Sequence, residues 1–440
     1  MHWWHRPRRW KIWPAHLIWT AAVRSPFRPA LLALLLLQGA CQSPENAPTI
    51  AIAPLPPDRV GGALSSDAPA NQLSPALSPR ERLEHSLGAS FFNKPWVSAP
   101  SNTHDRDGLG PLFNAHSCSA CHPRAGRGMP FENSSTESSG LLFRLSEPDP
   151  VFGAQLQTRA LPGFRAEGQV SLQYSEQTVS LNDGDIIRLR RPHYQARQGL
   201  SPRLAPRLVG MGLIDAIPQS AIAAGADPDD RDGDGISGRV AGRFGWKAEQ
   251  ESLKDQVAKA FVEDLGISTS LFPHSPGCEQ NPLRCAAVSG GTPELSDSGL
   301  QAVVDYLSHL SVPRARQSKT HSEGWRLFQR AGCTACHQAQ WQTGKHSSPL
   351  LAEQTIYPFS DFLLHDLGPA LADPSGSLAK EWRTSPLWAL GDGPYLHDGR
   401  ARTLLEAIFW HGGEASHSVS RVQQFSGSER AALLEFLRAL

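Results

Sequence analysis

At 440 residues, 40% of them hydrophobic, the chain is long enough for two or three domains with full cores and too polar for a membrane bundle. Its 42 lysines and arginines balance 42 aspartates and glutamates, which excludes both the bulk positive field that nucleic acid would want and an acidic solvating tail. Charge names no partner.

The first element is a basic segment, Arg6, Arg8, Arg9, Lys11, Arg24 and Arg28, followed by an apolar run from Ala30 to Leu37 and then Gln38-Gly39-Ala40-Cys41. That order predicts an export signal over residues 1–40 and a periplasmic protein. The run falls short of the roughly 20 apolar residues that span a bilayer. Cys41 follows two small residues and is either a lipid anchor exposed by cleavage or an unmodified cysteine, and Gln38 stands where a lipoprotein signal has leucine. Residues 41–80 are rich in Pro, Ala, Ser and Gly and read as a flexible linker.

From Glu81 the pattern changes. Leu83, Leu87, Phe91 and Phe92 give one face of a helix, and Cys118-Ser-Ala-Cys121-His122 follows. A second pentapeptide, Cys333-Thr-Ala-Cys336-His337, lies far downstream. Cys-x-x-Cys-His is the spacing at which two thiols take the vinyl groups of a c-type haem and the histidine meets the iron. Zinc would want a fourth ligand, for which neither pentapeptide has a matching Cys/His pair, and a dithiol enzyme has no need of the histidine. The expectation is two covalently bound c-type haems, with His122 and His337 as proximal ligands.

The pentapeptides belong to a longer repeat. Leu112-Phe113 precedes the first as Leu327-Phe328 precedes the second, and Val303 to Leu310 matches Leu433 to Leu440 in an amphipathic i, i+3, i+4, i+7 pattern. The predicted fold is mainly α, with cytochrome-c-like haem domains over 81–311 and 318–440. The first carries a β-rich insertion of about 140–287, where Val170 to Tyr174, Val179 to Leu181, the turn Asn182-Asp183-Gly184, and Ile186 to Leu189 alternate as hairpins do.

Within that insertion Asp230, Asp232 and Asp234 precede Gly235, as in the first half of a calcium loop, with Asp227 or Asp229 able to complete a site. The twelfth-position glutamate of a full loop is missing, and a solvated acidic turn is the alternative. Cys278 and Cys285 remain as an even pair, read as a disulfide in an oxidising compartment. The three methionines, Met1, Met129 and Met211, all precede the second unit. The second haem therefore has His346, His365, His397, His411 and His417 as candidates for its other axial position. His411 closes the run Leu404 to Trp410 just before Gly412-Gly413, where it either meets iron or caps a helix.

Gly108 to Asn114, Asp227 to Arg239, Gly242 to Lys247, Ser360 to Gly368, Glu381 to Trp388 and Tyr395 to Arg402 together resemble the motifs of the di-haem oxidoreductase family, in order and over nearly everything after residue 80. That family is similar to the bacterial di-haem cytochrome c peroxidases and to the di-haem enzyme that matures methylamine dehydrogenase. In those relatives the distal ligand of the C-terminal haem lies fourteen residues beyond the histidine of a Tyr-x-His-x-Gly motif, and counting from His397 lands on His411. Histidine there departs from the methionine or tyrosine of the relatives and implies a bis-histidine haem suited to storing or relaying electrons. The N-terminal haem is then the reactive one, with Glu167, ranked ahead of Glu147 and Gln155, helping to polarise a bound peroxide. The resemblance also puts Trp246 between the haems and His365 and His397 near the second one.

The implied function is an exported di-haem peroxidase. It would take electrons from an external donor, such as a small cytochrome or copper protein, through the C-terminal haem and deliver them to hydrogen peroxide or another small oxidant. The rival readings are a non-enzymatic electron-transfer cytochrome with both irons six-coordinate, and an oxidase of a protein or metal substrate.

Overall fold

The computed structural model describes residues 53–130, 140–149, 152–195, 199–278 and 282–440, so the export signal expected over 1–40 and Cys41 lie outside the described residues. Residues 51–440 form one compact unit. The stretch read as a flexible linker over 41–80 is packed from residue 53 onward. Val60 and Leu64 are fully buried, Ser65–Ser66 pairs in parallel with Val312–Pro313, and Ala53 exchanges hydrogen bonds with Trp325 and Gln329.

Two helix pairs organise the chain. Ser86–Asn93 crosses Asp297–Ser308, and His321–Ala331 crosses Gly427–Ala439. The crossings are in register with the sequence repeat. A Cβ on Gly88 would come closer than 3.0 Å to the Ala302 carbonyl and to Tyr306, and one on Gly324 closer than 3.0 Å to the Ala432 carbonyl and to Phe436. Ala302 and Tyr306 occupy the same places in the first repeat as Ala432 and Phe436 in the second. Glycine is what lets each pair of backbones approach this closely.

The expectation of a mainly α fold does not hold. Helices take only 30% of the described residues and strands 17%, spread over many small sheets. Long helices are few, and much of the chain between them is broken by Pro and Gly and closes instead into short strand pairs such as Leu364–Asp366 with Glu381–Arg383. The insertion is β-structured only as far as residue 204. Leu141–Asp149 lies between Gly153–Gln155 and Leu200–Leu204, and Ser171–Ser180 pairs antiparallel with Ile186–Gln195 from Ser171↔Gln195 to Ser180↔Ile186. Beyond it, helix Leu253–Leu265 starts at Ser252, whose hydroxyl accepts from the Asp255 amide at 3.1 Å, and buries Leu253, Val257, Phe261 and Leu265.

One hydrophobic core runs through both halves, from Phe92, Phe261 and Val303 to Phe328, Phe359 and Phe436. Cys278 and Cys285 are joined, with Cα atoms 5.7 Å apart. Among the described residues no helix is long and apolar enough to cross a membrane.

Candidate functional site

Each pentapeptide opens onto a cavity, and the two cavities are close in size, about 230 and 210 Å³. In the first, Ser117 caps the single turn Cys118–Cys121, accepting from the Ala120 amide at 3.2 Å, and this turn sets Cys118, Cys121 and His122 in one wall. In the second, Gly332 at φ 85° ends helix His321–Ala331 in the left-handed region and starts the turn that carries Cys333, Cys336 and His337 to the cavity.

Three histidines are held the same way. Nδ1 of His122 donates to the Pro206 carbonyl at 2.8 Å, that of His337 to Phe359 at 2.9 Å, and that of His411 to Ala407 at 2.8 Å. Each ring is thereby fixed in the tautomer that leaves Nε2 as a free acceptor for a metal. Burial drives His122 and His337 down to about 4 and lowers His411 as well, so the imidazoles are neutral. His411 sits at the C-cap of Leu404–Trp410 and lines the same cavity as His337. Burial raises the Cys118 and Cys333 thiols to about 12 and lifts those of Cys121 and Cys336, so that by themselves they are neutral. Neutral thiols at attachment spacing, imidazoles with free Nε2 and mostly apolar walls fit a haem in each cavity.

The polar residues divide unevenly. Gln155 is buried and lines the first cavity, where its Nε2 donates to Asp264 Oδ1 at 2.8 Å and to the Glu263 carbonyl at 3.0 Å. Glu167 and Glu147 are not part of that wall. Glu167 closes a loop on Gln157, accepting from its amide and donating to its carbonyl, and Glu147 is exposed on Leu141–Asp149. Backbone pairing with Gln157 thus holds Glu167, the residue ranked first, outside that wall.

Sequence reasoning missed Asp264. Burial pushes its carboxyl up to about 7 despite the hydrogen bond from Gln155. Its neighbour Glu263 is paired with Arg144 and with Lys259 at 3.0 Å. The signal was present in the helix period: Asp264 follows Val257 by seven residues and Phe261 by three, so it lies on the face those residues bury. Met211 also lines the first cavity.

Trp246 lines both cavities. Its Nε1 donates to the Leu204 carbonyl at 2.7 Å, and its ring meets His397 edge-on at 6.4 Å. His397 is buried in the wall of the second cavity and stacks on Trp382 with centroids 3.7 Å apart. His365 is clamped between Glu414 at Nδ1 (2.7 Å) and Asp361 at Nε2 (2.8 Å). Burial opposes its charge, yet Asp361, Cys336 and Glu414 raise it to about 12. With both nitrogens donating, His365 has none left for iron. His346 and His417 are exposed and outside the second cavity.

The carboxylates of Asp230, Asp232 and Asp234 gather within 4.8 Å of one another. Asp227 does not join them, since its Oδ2 accepts from the Arg231 and Asp232 amides. The loop is tied to the second cavity through Ser237, which donates to Glu414 at 2.6 Å.

A family model described as "Di-haem oxidoreductase, putative peroxidase" matches residues 63–137 and 197–440. No curated protein and no solved structure matches the chain. Gln155 and the long hairpin fall in the unmatched stretch, whereas both pentapeptides, Trp246, Asp264 and His411 fall in the matched ones.

Proposed function

The chain belongs to the di-haem oxidoreductase family, and from that premise we propose that it is an exported peroxidase with two covalent c-type haems, drawing electrons from an external donor such as a small cytochrome or copper protein. When bound, haem supplies a redox-active iron in each cavity. Cys118 and Cys121 would hold one group and Cys333 and Cys336 the other, with Nε2 of His122 and of His337 free to ligate the iron.

The difference between the cavities carries the reading. The second offers two neutral imidazoles, His337 and His411, to one group, which suits it to holding and passing electrons. The first offers one imidazole and a partly buried carboxyl held by Gln155. Each hydrogen peroxide consumes two electrons and two protons and leaves two waters. Asp264, with its carboxyl near neutrality, is the group suited to give a proton to the departing oxygen, and the Gln155 amide orients it. Trp246, in the wall of both cavities, supports an electron path between them. The gathered carboxylates of Asp230, Asp232 and Asp234 support a calcium ion in their loop.

The test begins with a pyridine-haemochrome spectrum, expected to report two covalent haems per chain. Peroxide and cyanide are then added to the oxidised protein while electron paramagnetic resonance is recorded. A change confined to one haem supports the peroxidase. Two low-spin signals unmoved by either reagent would sink it in favour of a pure electron relay.

A further inference from the structure

Trp246 is not alone in the wall between the cavities, because Arg127 and Arg383 also line both. Neither guanidinium is paired as its neighbours are. Arg203 meets Asp373 at 2.9 Å, and Arg144 meets Glu263. Among the described residues Arg383 donates only to backbone carbonyls, through Nε to Gly245 at 2.8 Å and through Nη1 to Thr384 at 3.2 Å. Arg127 donates through Nη1 to the Pro394 carbonyl and lies 5.2 Å from the centre of the Tyr395 ring, while its Nε is buried without a partner. Burial pushes both guanidinium pKa values down to about 10, and for Arg383 the only opposing influence is the charge of Asp361, which makes no ion pair with it.

A sunken cation held only by carbonyls keeps an electrostatic debt that an anion can cancel. Each guanidinium also keeps donors in hand: Nη2 of both, and Nε of Arg127, have no protein acceptor among the described residues. A planar fork with spare N–H groups suits a carboxylate. The fork is braced as well. The amide of Arg383 donates to the Trp246 carbonyl at 2.9 Å, and its Nε to the preceding Gly245, so the guanidinium moves with the turn that separates the cavities.

We propose that Arg127 and Arg383 form a two-sided anion site that takes a carboxylate from the group bound in each cavity, so that one cationic bridge serves both. The inference rests on the two-haem reading, because the propionates of haem are the carboxylates such a group would bring. Two positive charges in a wall common to both cavities act on both irons, and in a weakly polar interior that influence reaches across the wall. A positive charge favours the reduced iron. Its removal therefore lowers the reduction potential on each side, which the loss of a merely structural residue on one wall would not do.

The experiment is a spectroelectrochemical titration of the holoprotein and of Arg383→Gln, Arg127→Gln and Arg383→Lys, each first checked for two covalent haems by pyridine haemochrome. Both midpoint potentials are expected to fall in each glutamine variant, and to fall less in the lysine variant, which keeps the charge but not the fork. If Arg383→Gln does not fold, Arg127→Gln and Arg383→Lys carry the same comparison. A shift at one haem alone, or at neither, in a variant retaining both haems overturns the bridge and leaves the peroxidase reading standing. A wild-type chain with fewer than two covalent haems sinks that reading, and the bridge with it.

Discussion

Gln155 and Asp264, 109 residues apart in the chain, meet in the first cavity through a 2.8 Å hydrogen bond from the amide Nε2 to Oδ1. The carboxyl comes from a helix built to bury the apolar face of Val257 and Phe261, and the amide from the edge of a small sheet. Asp264 has no other side-chain donor among the described residues, so its proton is not tied up in an ion pair.

Asp264→Asn is expected to cut peroxide turnover by roughly 10²- to 10⁴-fold, the range over which a positioned proton donor acts. Cyanide binding to the oxidised protein should persist, since asparagine keeps the shape of the wall and loses only the acid. Stopped-flow turnover and a cyanide titration on the same sample separate the two effects. Undiminished turnover would remove Asp264 from the chemistry.

The same carboxyl makes stability depend on pH with a definite sign. Burial raises its folded value to about 7, while an unfolded aspartate titrates near about 3.9. The folded state therefore binds the proton more tightly between those values. This contribution is complete below the unfolded value and is lost as pH rises through the folded one. The wild type should lose stability relative to Asp264→Asn between about pH 4 and 7, by melting temperatures taken across that window. A difference that stays flat would show that the carboxyl is not held protonated.

His411 is fixed to its own helix by the Ala407 carbonyl and shares a cavity with His337. His411→Ala should open the second iron. In the oxidised protein a low-spin signal is expected to give way to a high-spin one, and cyanide should then bind at both haems. His411→Met, which restores the side chain of related peroxidases, is expected to keep the low-spin signal and raise the potential. An unchanged resonance spectrum for His411→Ala would assign the second axial position elsewhere.

How much of this was legible beforehand differs by residue. The pentapeptides and the packing helices showed in the sequence because attachment chemistry and helix period are both local. Asp264 was equally visible as an acid on an apolar face, but nothing local says which cavity that face lines. Glu167 is the converse case: the sequence displays a carboxylate in the insertion, and only the fold shows it turned to the Gln157 backbone. The mixed fold went unread because the stretches between the helices carry neither period for long. Their short strands, such as Leu364–Asp366, are set by partners far along the chain.

The repeat also makes a prediction about packing. Gly88 and Gly324 face equivalent alanine carbonyls, Ala302 and Ala432, and equivalent aromatics, Tyr306 and Phe436. A methyl group at either crossing has no space, so Gly88→Ala and Gly324→Ala should each destabilise the protein by about 1–3 kcal/mol through overpacking, offset in small part by the better helix propensity of alanine. Each substitution acts on a helix pair beside one cavity. Haem content and melting temperature measured together should show both variants destabilised, with the spectrum of the nearer haem disturbed first: the His122 haem for Gly88→Ala and the His337 haem for Gly324→Ala. If one glycine tolerates alanine without loss of stability, the two crossings are not equivalent, and the repeat is one of sequence pattern rather than of packing.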